Sequence, residues 1–230
     1  MLRIPLPLIP CLLLAACGSQ PKVNTTTPAF DEAMPVNFAG SWERDYSRGD
    51  DIGGVLNGIF YELHRRAAQR ASDDPRLGGL QPSISKREVS AITALARLAE
   101  LITRPDVLTI AQNPYEISIV RKDDFTMLCE FYGGIAKATT SDYGTEVCGW
   151  DGDQLVSHLI LPDGLSVIHR FALSPGGNNM RVTTTVSSGA TRMPFTVNRY
   201  YMQFEAPTSD FNCIETLSMK RVCSTGEINP

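Results

Sequence analysis

The sequence predicts a mainly β domain, in which antiparallel strands form a barrel or a sandwich and two helices are inserted after the first strand. From Val107 onward, apolar and polar residues alternate with the period of two that is typical of half-buried strands. Turn signals such as Asn113-Pro114 and Asp151-Gly152 separate these segments, whereas residues 50–104 have a helical period. Short strands between such turns favour an antiparallel meander over alternating strand–helix units.

Residues 1–16 have the pattern of an export signal. Arg3 precedes a mostly apolar run that contains three prolines and ends in Leu14-Ala15-Ala16, directly before Cys17. The run is shorter than the roughly 20 residues that a membrane-spanning helix needs. A charged start, a short apolar stretch and small residues at the cleavage site are typical of a secretory signal peptide.

Leu14-Ala15-Ala16-Cys17 also resembles the lipobox of bacterial lipoproteins. The resemblance implies that the Cys17 thiol receives a diacylglycerol and becomes the new N-terminus, which anchors the protein to a membrane through its lipid. Gly18 and Ser19 follow the cysteine. In Gram-negative lipoproteins, the lack of an Asp at this point implies sorting to the outer membrane. We therefore expect a lipid-anchored, periplasm-facing protein of the Gram-negative envelope.

The segment from Cys17 to Asn37 is rich in Thr, Pro and Asn and has no periodicity, which predicts a flexible tether after the lipidated residue. We expect a single folded domain over 38–230. It begins with the aromatic segment Phe38-Ala39-Gly40-Ser41-Trp42, which predicts a first strand.

Two helices are predicted within the insertion at 50–104. The first carries apolar residues at helical spacing from Val55 to Ala67, and the Asp-, Pro- and Gly-rich segment 72–83 ends it. The second begins with a capping-box pattern at Ser85-Lys86-Arg87-Glu88 and stops at Pro105. Because each helix has one apolar face, the pair must cover other apolar residues.

The remaining strands follow the insertion, and the strand at Trp42 brings the predicted total to eight or nine. Aromatic side chains on them supply either the lining of a ligand cavity or an ordinary core. The predicted strands are 107–112, 115–121, 125–131, 145–150, 154–161, 165–173, 179–187 and 194–204, and the aromatic residues are Phe125, Phe131, Tyr132, Phe171, Phe195, Tyr200, Tyr201 and Phe204.

Four cysteines remain once Cys11 is removed with the signal and Cys17 carries the lipid. An even number in an exported chain indicates two disulfides, for which three connectivities exist. Closeness in sequence favours Cys129–Cys148 and Cys213–Cys223, the second of which would staple the C-terminal tail. Metal ligation is the alternative, but the chain has no C-x-x-C spacing and no histidine near a cysteine in sequence.

The segment from Phe38 to Trp42 resembles the F-x-G-x-W signature at the first strand of lipocalins. In that family the Trp closes one end of an eight-stranded barrel, and an Arg of the last strand packs across it. The resemblance assigns these two roles to Trp42 and Arg199, and Gly40 is the glycine of the signature. Lipocalins typically place their main helix after the barrel, so we expect a lipocalin-like barrel with a helical insertion. The alternative is that Trp42 is a core aromatic of an unrelated β-sandwich.

His158 and His169 are the candidate metal ligands. If Asp163-Gly164 forms a two-residue turn, the two histidines stand directly opposite each other on neighbouring strands, with Cβ atoms about 5 Å apart. A catalytic zinc also needs a third ligand, for which Asp151 and Asp153 are the candidates. An ordinary cross-strand contact is the alternative reading of the pair.

The formal net charge of −4 gives no sign of a nucleic-acid surface. The leading hypothesis is a lipoprotein without cofactor or catalysis, whose barrel binds an apolar or amphiphilic envelope molecule. A second is a structural accessory that docks on an envelope protein complex through the helical insertion. A metal-dependent hydrolase that uses His158 and His169 is the third.

Overall fold

The computed structural model describes residues 34–73, 83–133 and 135–205, together with residue 217 and the backbone of 212–214 and 222–224. The predicted export signal, Cys17 and most of the predicted tether lie outside the described residues. Within them, the chain forms two helices and thirteen strands. The helices are α1 (Ile52–Asp73) and α2 (Lys86–Ile102), and the strands are β1 (Gly40–Arg44), β2 (Val107–Asn113), β3 (Glu116–Arg121), β4 (Met127–Tyr132), β5 (Ile135–Lys137), β6 (Thr139–Ser141), β7 (Gly144–Asp151), β8 (Gln154–Ile160), β9 (Ser166–Leu173), β10 (Asn179–Ser187), β11 (Phe195–Phe204), β12 (Asn212–Ile214) and β13 (Val222–Ser224).

Strands β1 to β11 form one antiparallel sheet in the order β5-β4-β3-β2-β1-β11-β10-β9-β8-β7-β6. The sheet curls until β4 and β5 lie beside β7, which comes from its other end. A disulfide joins Cys129 of β4 to Cys148 of β7, one of the two predicted pairs. The result is a near-closed barrel whose seam is bridged covalently. It confirms the predicted fold class and decides against two packed sheets.

The barrel has more strands than the sequence predicts. The additional ones are β5 and β6, which have three residues each and occupy a stretch without a predicted strand. Their sequences, Ile-Ala-Lys and Thr-Thr-Ser, are too short to show an apolar alternation. They become strands because β4 and β7 supply hydrogen-bonding partners.

The C-terminal hairpin forms a separate two-stranded sheet from β12 and β13. Its register places Cys213 directly opposite Cys223. The side chains of this hairpin lie outside the described residues, so the second disulfide stays a prediction.

The two helices follow the first strand, as predicted, and cover one end of the barrel. The hydroxyl of Ser85 caps α2 by accepting a hydrogen bond from the Glu88 N–H at 3.2 Å. The buried face of α2 includes Leu95 and Ala99 and packs, with apolar residues of α1, on Val167, Val186 and other inward-facing residues of β8 to β11. We call this the cap end, and we call the opposite end, with the turns after β2, β4 and β7, the distal end.

The core near the distal end is built around Phe38 and Trp42, both fully buried. The Trp42 indole donates a hydrogen bond to the Phe38 carbonyl at 3.0 Å, and the Phe38 ring stacks on Trp150 with centroids 6.0 Å apart. Met34 and Val36 also pack against this cluster. The folded part therefore includes residues that the sequence assigns to the tether.

The described residues contain no helix that is both long and apolar enough to cross a membrane.

Candidate functional site

A layer of polar side chains crosses the barrel interior between the apolar residues of its two ends. On each of β8 to β11, one inward-facing polar residue lies between two apolar or aromatic ones on the same face. These four residues are buried, and Arg121 and Glu146 reach the same layer from β3 and β7. We call the set Arg121, Glu146, Ser157, His169, Thr184 and Arg199 the polar belt.

His169 is held in the polar belt as a neutral imidazole. Its Nδ1 atom hydrogen-bonds the Thr184 hydroxyl at 2.9 Å, and both side chains are buried. Burial first, and then the nearby Arg121 guanidinium, lower the pKa of His169 to about 3. The residue is therefore a hydrogen-bonding group of the interior at physiological pH, not a cation.

The predicted opposition of His158 and His169 is wrong. Ser157 faces His169, and His158 faces Ile168. The connecting turn has three residues, Pro162–Gly164, and is closed by the Leu161 N–H, which donates to the Leu165 carbonyl at 2.8 Å. The expected turn has two. A shift of one residue puts the two imidazoles on opposite faces of the sheet.

His158 instead hydrogen-bonds the Ser166 hydroxyl through Nε2 at 2.7 Å. Across the part of the chain that the structure describes, no group of three or more His, Cys, Asp or Glu side chains is placed to hold a metal ion. The arrangement thus gives no geometric support to the metal-dependent hydrolase, and the disulfide between Cys129 and Cys148 excludes those two thiols as ligands.

Arg121 and Glu146 bring opposite charges into the barrel. The Arg121 guanidinium pairs with the Asp124 carboxylate at 2.9 Å and donates through Nε to the Phe125 carbonyl at 2.7 Å. Burial raises the pKa of Glu146 to about 7, against the lowering effect of Arg121 and of a 3.4 Å hydrogen bond from Ser157. The charge of the belt therefore changes near neutral pH, because Glu146 titrates there.

Arg199 connects the polar belt to both ends of the helical insertion. Its Nε donates to the Thr103 hydroxyl, which follows α2, at 3.3 Å. Its Nη1 donates to the backbone carbonyl of Asp50, two residues before α1. A buried cation thus holds the two ends of the cap against the barrel wall.

The expected packing of Arg199 across Trp42 does not form. The register places Gln203 opposite Trp42, and Arg199 lies farther along β11 toward the cap end. In the part of the chain that is described, the arginines that lie over aromatic rings are Arg44 and Arg48, over Tyr46 and Tyr200. Trp42 is thus a buried core residue near the distal end, and Arg199 takes other partners than the lipocalin resemblance implies.

A partly open cavity of about 20 Å³ lies between the polar belt and the C-terminal end of α2. This volume holds about one water molecule, so the cavity admits nothing larger unless its side chains move. The wall combines two guanidinium groups with apolar, aromatic and hydroxyl side chains. It is lined by Ile102, Thr103, Pro105, Leu108, Arg121, Met127, His169, Phe171, Val182, Thr184, Arg199 and Tyr201.

The wall of this cavity suits the binding of an anion. Arg121 and Arg199 are both largely removed from solvent, which lowers the pKa of each guanidinium but leaves it charged. Burial also raises the pKa of the Tyr201 phenol to about 12, so its hydroxyl stays a hydrogen-bond donor, at present to the Pro105 carbonyl at 3.0 Å. Hydrogen bonds between such donors and a carboxylate are stronger in a low-dielectric interior.

Sequence reasoning missed most of the polar belt. Arg121, Glu146, Ser157 and Thr184 were not singled out, although each occupies an inward position of its strand. The signal was a polar residue that recurs in the middle of the inward face on successive strands. Of the predicted aromatic lining, Phe131, Phe171, Phe195 and Tyr201 are buried, whereas Phe125 and Tyr132 are exposed.

No protein-family model matches this chain, and no curated protein matches its sequence. Among solved structures, the chain is similar to apo lipid binding protein 8 of Caenorhabditis elegans, with 12% identity and a TM-score of 0.37. The alignment covers 73% of this chain and 95% of that one. A likeness at this level says nothing about what this chain binds.

Proposed function

We propose that this chain is a lipid-anchored envelope protein whose barrel binds, without catalysis, an amphiphilic molecule with an anionic head group. The observation that carries the proposal is a pair of guanidinium groups largely removed from solvent, Arg121 and Arg199, at one cavity between apolar layers. A carboxylate head group can accept paired hydrogen bonds from a guanidinium. The apolar side chains on either side of the polar belt suit a hydrocarbon tail.

The ligand must displace side chains, because the cavity of about 20 Å³ holds only about one water molecule. Met127 lines the cavity and Met180 lies in the neighbouring core. Methionine side chains are unbranched and adapt readily to a new neighbour. Thr103 and Pro105 line the same cavity, so the end of α2 is the expected entrance.

Displacement of a fluorescent fatty acid from the purified protein tests this function. Arg199→Gln should weaken binding by about tenfold or more, because a hydrogen bond to a charged group contributes roughly 1.5–3 kcal/mol. Arg170→Gln is the matched control, since Arg170 pairs with Asp151 on the outside of the barrel at 2.9 Å. Its affinity should equal that of the unmodified protein.

Arg199→Lys keeps the charge but removes the paired donors, so its affinity should fall between the other two. Circular dichroism on each variant separates a binding defect from loss of the fold. A folded protein that shows no displacement would contradict barrel binding. Equal losses in Arg199→Gln and Arg170→Gln would contradict the polar belt as the binding site.

The proposed anchor rests on Leu14-Ala15-Ala16-Cys17, and it is tested separately. Intact-mass analysis of protein from a Gram-negative host should show loss of residues 1–16 and the added mass of diacylglycerol and an amide-linked acyl chain. Cys17→Ala should abolish that mass and move the protein out of the outer-membrane fraction. An unmodified Cys17 in the wild-type chain would refute the anchor but leave the barrel's ligand open to test.

Docking on an envelope protein through the helical insertion stays the alternative. Tyr61 of α1 and Leu101 of α2 are large side chains that remain exposed, at 73% and 54%. A pull-down with Tyr61→Ser tests docking without removing the cap from the barrel. Loss of a partner with unchanged fatty-acid affinity would support this alternative over the barrel function.

A further inference from the structure

Three large side chains are exposed together at the distal end. Tyr115, Tyr132 and Ile135 are 74%, 83% and 69% exposed. The Tyr115 carbonyl accepts a hydrogen bond from the Phe131 N–H at 2.8 Å, and Tyr132 pairs directly with Ile135 in the β4–β5 hairpin. We call these three residues the distal patch. Tyrosine rings with an apolar neighbour are the side chains that favour a membrane–water interface.

The chain enters the fold beside this patch. The Val36 carbonyl accepts a hydrogen bond from the Gln112 amide at 2.7 Å, and the Phe38 N–H donates to the Gln112 side-chain oxygen at 2.9 Å. Gln112 is the next-to-last residue of β2, three positions before Tyr115. Any segment that precedes Met34 therefore starts from the distal end of the barrel.

The length of the preceding segment favours one end of the barrel as the side that faces the membrane. Sixteen residues separate Cys17 from Met34. A flexible tether of that length spans about 25 Å on average. The cap end is about 30 Å farther away, the length of β11 at ~3.4 Å per residue. At this average span, a lipid on Cys17 favours the distal end over the cap end as the side that faces the bilayer.

We propose that the distal patch, Tyr115, Tyr132 and Ile135, rests in the interface of the bilayer to which Cys17 is anchored. The inference rests on the proposed lipidation and adds a second contact to it. The anchor raises the effective concentration of the patch at the membrane, so a small apolar contact suffices. The patch is surrounded by Glu116, Glu130 and Lys137, which together carry one net negative charge. Lys137 and Glu130 form an ion pair at 2.9 Å. The fitting surface is therefore a zwitterionic bilayer.

The docking is measured on the full, lipidated chain in phosphatidylcholine vesicles with brominated acyl chains. The probe is the extra indole of Tyr115→Trp, after subtraction of the wild-type fluorescence of Trp42 and Trp150. Tyr143→Trp is the matched control, because Tyr143 is 66% exposed and lies in the turn before β7, at the cap end. We expect the Tyr115→Trp signal to lose about half its intensity and the control signal to stay unchanged, as interfacial aromatics lie at head-group depth.

A second variant checks that the patch, and not the tether alone, makes the contact. Adding Tyr132→Ser and Ile135→Ser to Tyr115→Trp should return its quenching to the level of the control, with an unchanged circular dichroism spectrum. Equal quenching of Tyr115→Trp and Tyr143→Trp in vesicle-bound, lipidated protein would overturn the docking but keep the anchor. A chain whose mass shows no lipid would overturn both. Shielding of the Tyr115→Trp indole from acrylamide without bromine quenching would mean that a protein, such as a second copy, covers the patch, and would also overturn the proposal.

Discussion

The hydroxyl of Thr184 stabilises the interior because it is the partner of a buried imidazole. Thr184→Val keeps the shape but leaves the His169 Nδ1 atom without its hydrogen bond of 2.9 Å. An unsatisfied buried polar group costs roughly 1–3 kcal/mol, so the free energy of unfolding in urea should fall by that amount.

The next residue along β10 gives the matched control. Thr185 faces outward and hydrogen-bonds the Thr196 hydroxyl at 2.9 Å. Thr185→Val should change the free energy of unfolding by less than about 0.5 kcal/mol. If Thr184→Val and Thr185→Val lower the free energy of unfolding equally, the loss does not come from burial of the His169–Thr184 hydrogen bond.

Glu146 should make the protein less stable as the pH rises through 7. Its pKa is about 7 in the fold because of burial, above the ordinary value of 4.5, so the native state holds the proton more tightly than the unfolded chain. The stabilisation is complete below pH 4.5 and is lost as the pH rises through 7. Between pH 5 and pH 8 the contribution is on the order of 2 kcal/mol.

Glu146→Gln isolates this titration. Glutamine keeps an acceptor for the Ser157 hydroxyl but carries no proton that depends on pH. Urea unfolding at pH 5 and pH 8 should show a smaller loss of stability in the variant than in the wild type. His169 does not disturb the comparison, because its lowered pKa affects both proteins equally. Parallel pH profiles would show that Glu146 is solvated.

Helix α2 depends on its N-terminal cap. Ser85 provides the acceptor for the Glu88 N–H, which has no partner within the helix. Ser85→Ala should lower the free energy of unfolding by about 1 kcal/mol. Ser90→Ala is the matched control, since Ser90 is exposed within the same helix, and it should be neutral or slightly stabilising because alanine favours helix. A loss at Ser90 as large as that at Ser85 would contradict capping as the cause.

The helices and most hairpins could be predicted because their signals are local. The capping box at Ser85, the apolar face of α2 and the turn residues at Asn113 and Gly152 each act within a few residues. The two-helix insertion after β1 follows from these signals alone. Strands β5 and β6 do not follow from local signals, because their conformation depends on partners elsewhere in the sheet.

The side-chain pairs within the polar belt could not be predicted because they depend on the register between strands. The turn between β8 and β9 accommodates Asp163 with a φ of 63°, a conformation that aspartate adopts more readily than most residues. This conformation allows a three-residue loop where a two-residue loop was expected. The extra residue shifts β9 by one position against β8, which decides which side chains share a face. The interior partners of Arg199, Thr103 and Asp50, come from the insertion, far away in sequence.

The barrel as a whole is closed by a disulfide between β4 and β7, two strands that are not hydrogen-bonded neighbours in the sheet. β4 and β7 come from opposite ends of the sheet, and the described seam between them is crossed by Cys129–Cys148, with Cα atoms 5.4 Å apart. Both cysteines are buried in the core with Phe38 and Trp42. Closure therefore stabilises the part of the core that lies beneath the distal patch.

Removing this bond should open the seam. Cys129→Ala with Cys148→Ala should lower the free energy of unfolding by about 3 kcal/mol, since the bond closes a loop with a sequence separation of 19. Amide exchange should accelerate first in β4, β5 and β7, because their ends of the sheet lose the cross-link. Faster exchange spread evenly over the barrel would contradict a local role at the seam.

Reduction of the disulfides provides the control. A reductant should cost the wild-type protein at least as much as the two substitutions do, because it breaks the same bond and any other disulfide. Any further loss of stability when the double variant is reduced would come from the predicted Cys213–Cys223 bond, whose residues face each other in the β12–β13 hairpin. A double variant as stable as the oxidised wild type would show that packing and the remaining ladders close the barrel without the bond.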